Sequence, residues 1–207
     1  MSTPAEHFER LYRADADPWR YRTSRYEAAK YAATLGALTR DRYASGLEAG
    51  CSIGVLSAQL APRCDRLLAV DFIAKAVDLA AMRLTPHPGA QALRATLPDE
   101  WPKGRYDLIV LSELLYYLSP AGIDALARHV ARDAVADAEC VIVHFQGETG
   151  TDLRPDAARE RFCDALGGLR PLWIADHPSP ADYNHRTLLL AARSAAPATL
   201  PAPWGRG

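Results

Sequence analysis

From Gly46 onward, short apolar runs alternate with stretches of helical periodicity, and no other feature of the 207-residue chain narrows its fold as much. Gly46–Ala49 reads as a strand, residues 55–61 as a helix stopped by Pro62, and residues 66–70 as an apolar strand ending at Asp71. A helix is predicted over 73–84, a weaker strand over 90–95 and a strong one over 106–111, after which Ser119-Pro120 opens another helix. Residues 139–145 are rich in β-branched side chains, as a buried central strand should be. Residues 172–175 and 187–192 read as two last strands joined by a loop containing Pro, Asp and Asn. Repeated β-α units imply a doubly wound α/β domain, a mostly parallel seven-stranded sheet with helices on both faces. The final pair lacks an intervening helix, which predicts an antiparallel C-terminal hairpin at one edge.

Two helices are expected before any strand. Thr3-Pro4, with Glu6 following, resembles an N-cap with proline at the first helical position, and Phe8, Leu11 and Tyr12 then fall at helical spacing. Asp15-Ala16-Asp17-Pro18-Trp19 breaks that helix. Ser24 and Glu27 have the spacing of a capping box, and the second helix runs through Tyr31 and Leu35 towards Leu38. Residues 1–45 are accordingly read as a helical lid within the same domain as residues 46–194. Residues 195–207, rich in Ala and Pro, are read as a mobile tail.

Charge narrows the partners. Twenty-four Lys and Arg nearly balance 25 Asp and Glu, so no strong field invites nucleic acid or an anionic membrane. The longest apolar runs, such as 108–111 and 140–143, fall far short of the ~20 residues a membrane span requires. MSTPAEHFER carries no signal-like apolar stretch, which points to the cytoplasm. Cys51, Cys64, Cys140 and Cys163 form no C-x-x-C pair and are read as reduced thiols, with no metal site expected.

The turn after the first strand has two incompatible meanings. Gly50-Cys51-Ser52-Ile53-Gly54 fits G-x-S-x-G, the elbow that presents a nucleophilic serine. That reading needs an acid and a base, for which Asp107, His144 and His177 are available, and a Gly-rich oxyanion loop upstream. Residues 1–45 hold one glycine, Gly36, inside a helical pattern. The other meaning is a cradle: glycine-flanked backbone approaches a ligand, and Asp71, ending the second strand, receives two ribose hydroxyls. A dinucleotide fingerprint would place glycine at 50, 52 and 55, where this chain has Gly50, Ser52 and Val55. S-adenosylmethionine (SAM), which carries a cationic sulfonium and no pyrophosphate, also suits an acid at Glu48. The cradle accounts for more residues.

Glu48-x-Gly50-x-Ser52-x-Gly54 resembles the first motif of class I SAM-dependent methyltransferases, with serine in place of the usual middle glycine. Leu67-Leu68-Ala69-Val70-Asp71 resembles the second, and Leu97-Pro98 and Tyr106-Asp107-Leu108-Ile109-Val110-Leu111 resemble the third-strand loop and fourth strand. Asp17-Pro18-Trp19, Ser24-Arg25-Tyr26-Glu27, Lys30-Tyr31, the glycine turn and Ser112-Glu113-Leu114-Leu115-Tyr116-Tyr117-Leu118 together resemble the nodulation protein S family. Those proteins are N-methyltransferases acting on deacetylated chitooligosaccharides. The resemblance spans roughly residues 15–144 and implies a Rossmann-like methyltransferase fold. It departs from the general pattern at Arg94-Ala95-Thr96, where an acidic residue often precedes the small one.

The expected cofactor contacts are Trp19, Glu48, Gly50, Cys51, Ser52, Gly54, Asp71, Phe72, Thr96, Leu97 and Ser112, with S-adenosylhomocysteine (SAH) as product. Glu113, at the mouth of the fourth strand, is the candidate to hold an acceptor amine and take its proton, with Tyr116 and His144 on the same rim. Trp19, Tyr26 and Tyr117 are the candidate acceptor contacts; one of the consecutive Tyr116 and Tyr117 should pack inward. His177 and His185 are placed in an exposed late loop. The expected partner is a small-molecule acceptor, an amine on a sugar-like metabolite. An O-methyltransferase, a serine hydrolase using Ser52 and a SAM-binding protein without catalysis are the rival readings.

Overall fold

The computed structural model describes residues 4–169, 172–178 and 185–192. Its elements are α1 (Pro4–Ala14), α2 (Arg25–Ala37), β1 (Gly46–Ala49), α3 (Val55–Leu60), β2 (Leu67–Asp71), α4 (Ala74–Leu84), β3 (Ala90–Arg94), β4 (Tyr106–Ser112), α5 (Pro120–Asp133), β5 (Ala134–Phe145), α6 (Pro155–Leu169), β6 (Leu172–Pro178) and β7 (His185–Ala192). The sheet order is β3-β2-β1-β4-β5-β7-β6. The first five strands pair in parallel, and β7 pairs antiparallel with β5 and β6.

Strand periodicity sorts the core into two layers. In β4, Ile109 and Leu111 face α5 and α6, meeting Ile123, Leu126, Val130 and Phe162. Leu108 and Val110 point the other way, towards Tyr31, Tyr43, Leu56, Leu60 and Leu84. All four residues are fully buried, which is why β4 reads as an unbroken apolar run. Chain order reverses between β1 and β4, so their carboxyl ends diverge and leave a crevice.

Several boundaries differ from expectation. β5 starts at Ala134, well before residue 139, because an irregularity lets Tyr106 pair with Ala134 and Leu108 with Glu139. Helix α6 was not expected; its buried face is Ala158, Phe162 and Leu166 at four-residue spacing, diluted by charged neighbours and by Gly167-Gly168. Pro62 does not end all helical structure, since a short 3₁₀ turn covers Ala61–Arg63. Only half of the capping box forms. Ser24 accepts from Glu27 N–H, while the N–H of Ser24 goes to Arg20 O. The backbones of His177 and His185 belong to β6 and β7, not to the loop between them. The Thr3 cap and the 195–207 tail lie outside the described residues.

The helix break at residues 15–19 is held by Asp17. Its carboxylate accepts from Tyr21 N–H at 2.7 Å and from Arg22 Nε at 3.1 Å, so the chain turns tightly after α1. Tyr12 packs with Ile53, Ile73 and Ala76, which fixes α1 over the β1 and β2 loops. No described helix is long and apolar enough to cross a membrane.

Candidate active site

A cavity of about 660 Å³ opens at the carboxyl ends of β1, β2 and β4, within the range usual for small-ligand sites. Two kinds of wall enclose it. One is the loops that leave the sheet, at residues 50–52, 70–73, 95–97 and 112–118. The other comes from the N-terminal helices and their connection, through Phe8, Tyr12, Trp19, Tyr21, Tyr26, Glu27 and Lys30. Phe145, Glu148 and Thr149 complete it.

The sheet-side wall is shaped by backbone. Gly50 has φ +84°, and a Cβ there would sit 2.9 Å from Ser112 O; Gly54 has φ +75°, and its Cβ would meet Ala80 Cα at 2.9 Å. Both positions therefore require glycine. Ser52 takes a left-handed φ of +50° without that licence. Two bonds hold it there: its N–H donates to Asp71 Oδ2 at 2.9 Å, and its Oγ shares a 2.5 Å hydrogen bond with the Tyr12 hydroxyl. Asp71 Oδ1 accepts from Ile73 N–H at 3.0 Å. Burial raises the Asp71 carboxyl above the usual range, and those N–H donors oppose the shift. The carboxylate lines the cavity with its orientation fixed.

This geometry answers the question of the serine. Ser52 Oγ is bonded to a phenol whose proton is held more tightly than usual, chiefly by burial. Asp107 is spent elsewhere, accepting from the N–H groups of Ala44 and Ser45 at 2.7 Å each, before the start of β1. His144 Nε2 lies 3.0 Å from Asp156 Oδ1. No Ser-His pair forms among the described residues, where the partner of Ser52 Oγ is a phenol and not a base; the His177 side chain is outside them.

Where the N-terminal helices meet the loop after β4, the cavity is lined by charge and rings. Lys30 Nζ, 3% exposed, lies 2.8 Å from Glu113 Oε1 and 3.1 Å from Glu27 Oε1. Glu113, at φ +52°, also accepts from the Tyr116 hydroxyl at 2.6 Å and from Phe145 N–H at 2.9 Å. Tyr26 lies with its ring centroid 5.4 Å from Lys30 Nζ and edge-on to Phe145. Trp19 packs on Phe8, Tyr12 and Tyr21, and Tyr117 on Phe8 and Tyr116.

Of the expected site residues, Trp19, Tyr26, Gly50, Ser52, Asp71, Phe72, Thr96, Leu97, Ser112, Glu113, Tyr116 and Tyr117 line this one space. Four do not. Glu48 is 1% exposed inside β1, with its carboxyl pushed up to about 8 by burial, so at neutral pH it offers little negative charge to a cation. The Cys51 side chain faces the core, and Gly54 backs onto α4. His144 is 2% exposed, tied to Asp156, with its imidazole pushed down by burial, and cannot meet an acceptor from there. Both Tyr116 and Tyr117 reach the cavity, although Tyr116 is buried and Tyr117 is not. Glu27 and Lys30 went unassigned as site residues. Their signal was the polar side chains at 27, 30 and 34, which lie on a buried α2 face where apolar residues belong. Among the described residues, no three His, Cys, Asp or Glu side chains cluster to hold a metal.

Sheet order, the reversal at β1 and β4, and a glycine cradle opposite an acidic β2 terminus define the class I SAM-dependent methyltransferase fold. The nodulation protein S (NodS) family profile matches residues 3–131, and the chain belongs to that family. Nodulation protein S of Bradyrhizobium diazoefficiens is 35% identical over 116 residues, 56% of this chain and 54% of that protein. That of Sinorhizobium fredii is 28% identical over 130 residues. The matches thus span little more than half the length of these relatives. Among solved structures, a candidate methyltransferase of Pseudomonas syringae is 34% identical, with a TM-score of 0.68 over 80% of this chain and 98% of that one. N-methyltransferase NodS of Bradyrhizobium japonicum WM9, solved with SAH, has a TM-score of 0.75 at 20% identity over 90% and 97% of the two chains, a likeness of fold.

Proposed function

We propose that this protein transfers a methyl group from SAM to a nitrogen of a small acceptor, an amine on a sugar or amino-sugar-containing metabolite. One observation carries the reading: the Asp71 carboxylate and the Glu27–Lys30–Glu113 cluster open into the same cavity. The cradle fits the donor. Gly50 leaves room that a Cβ would fill, and Asp71, oriented by two backbone N–H groups, keeps lone pairs for a ribose diol. Phe72, Thr96, Leu97 and Ser112 would border the nucleoside and methionine portions. SAM supplies an activated methyl group with a thioether as its leaving group.

The chain's own contribution is placement and exclusion of water. Holding two reactants in line can account for ~7–11 kcal/mol of a barrier. Phe8, Trp19 and Tyr26 form an apolar roof from α1, α2 and their connection, which supports residues 1–45 acting as the lid. Trp19 and Tyr26 also offer faces on which a sugar-like acceptor can rest, and the acidic pair suits a cationic amine. The structural relative from Bradyrhizobium japonicum WM9 is an N-methyltransferase, which favours nitrogen over oxygen as the acceptor atom.

The test is calorimetry against SAM, SAH and NAD, followed by mass spectrometry of amino-sugar reactions containing SAM. Micromolar binding of SAM and SAH with no NAD binding, and a product heavier by one methyl on nitrogen, are expected. NAD binding without SAM binding overturns the assignment. Tight SAH binding with no methylated product from any amine replaces it with a non-catalytic SAM-binding role.

A further inference from the structure

Glu113 was the obvious carboxylate to take a proton from the acceptor, but its two oxygens already serve three donors: Lys30 Nζ, the Tyr116 hydroxyl and Phe145 N–H. Glu27 is in the opposite condition. It lines the cavity, is 6% exposed, and has one oxygen, Oε1, bonded to Lys30. The other, Oε2, is in a 3.0 Å ion pair with Lys30 Nζ but has no well-aligned hydrogen bond to it, and the Tyr31 hydroxyl is the remaining donor to the group. An N–H entering the cavity can give Oε2 the aligned hydrogen bond that Lys30 does not supply.

We propose that Glu27 is the catalytic carboxylate of this site, receiving an N–H of the acceptor at Oε2, with Lys30 as the residue that positions it. The inference rests on the methyltransferase reading given above. An acceptor amine arrives largely as an ammonium and must lose a proton to expose its lone pair, and Glu27 takes that proton. The lone pair then forms the N–C bond, the S–C bonding pair remains on sulfur, and the proton leaves Glu27 for solvent. Burial raises the Glu27 carboxyl, Lys30 lowers it, Glu113 raises it again and a hydrogen bond from Tyr31 lowers it, with the phenols of Tyr21 and Tyr26 also facing the group. A base above the ordinary carboxylate range suits an amine better than an exposed acid would. Lys30 is held charged by the same two carboxylates, although burial opposes it.

The measurements are kcat/KM against pH with glucosamine as acceptor, and calorimetry of glucosamine binding to the SAH-loaded protein. Glu27→Gln should lower kcat by about 10²–10⁴-fold, weaken glucosamine binding to the SAH complex and leave SAH affinity unchanged. Glu27→Asp should keep an acid limb at reduced rate. Lys30→Met should move the acid limb of the wild type to higher pH, because the carboxylate loses its nearest cation. Glu113→Gln should keep the limb. If Glu27→Gln, with native SAH affinity, turns over within threefold of wild type and shows the same limb, the assignment is wrong. Should the wild type methylate oxygen instead, while Glu27→Gln is inactive, the nitrogen reading falls and the role of Glu27 as proton acceptor stands.

Discussion

The two walls of the cavity are made by different physics. The sheet-side wall is backbone: left-handed φ values at residues 50, 52 and 54, and a carboxylate aimed by two amide N–H groups. The helix-side wall is side chains: Glu27 and Lys30, with Lys30 reaching across to Glu113, roofed by rings from α1, α2 and their connection. Backbone recognition fixes an invariant partner and tolerates little change at its glycines. Side-chain recognition is cheaply altered, since Trp19, Tyr26 or Glu27 can change without disturbing a strand. Under the proposed function, the donor shared by many enzymes takes the first wall and the particular acceptor the second.

The most stringent probe of the backbone wall is a residue that supports it from behind. The Glu48 carboxyl, pushed up to about 8 from an ordinary 4.5, is protonated in the folded chain and ionised in the unfolded one between those values. The unfolded state then binds fewer protons, so this group's contribution to stability falls as pH rises from about 4.5 to 8 and levels off above. At one pKa unit per 1.36 kcal/mol the full loss is about 5 kcal/mol. Glu48→Gln should flatten the corresponding slope in denaturant midpoint against pH, and an unchanged slope would show that Glu48 ionises inside the sheet.

Separability of the walls is sharpened by a crossed pair of variants. Asp71→Ala removes the acceptor of the Ser52 and Ile73 N–H groups as well as the proposed diol contact, and SAH affinity should fall about 100-fold, or ~3 kcal/mol. Tyr26→Ala should leave SAH affinity alone and raise the acceptor KM about tenfold, near the worth of an aromatic contact. Calorimetry for SAH and steady-state kinetics for the acceptor read both effects. If Asp71→Ala changes only acceptor KM, the assignment of the walls is reversed.

The contrast also explains what could be read from the chain. Glycine spacing, an acid ending an apolar run and a Ser-Pro helix start are local, and each reported its structure because a turn or cap depends on few residues. Glu27 shows where local reading stops. Its spacing from Ser24 said capping box, but its carboxylate turned instead to Lys30 and to a cavity whose other wall comes from Glu113, far along the chain. Glu48 was misplaced for a related reason: a motif records that an acid precedes the glycines, not that β1 is covered on both sides. Ser52 was read as a backbone residue, but its side chain has a partner, Tyr12, on a helix assigned only by its periodicity.

That last contact is where the two walls touch, and its expected effect is the smallest. Ser52→Ala and Tyr12→Phe each delete the hydroxyl bond, and each should weaken SAH binding about fivefold, or ~1 kcal/mol. The double variant should be no worse than either single one, because both remove the same interaction. Ser52→Gly separates the bond from the strain. It loses the hydroxyl but relieves a left-handed serine, worth about 1–2 kcal/mol. It should therefore bind SAH more tightly than Ser52→Ala while matching it in susceptibility to proteolysis at residues 15–23, where the roof would loosen. Additive losses from Ser52→Ala and Tyr12→Phe would mean that the roof and the cradle are held independently, and that the serine at position 52 does not join them.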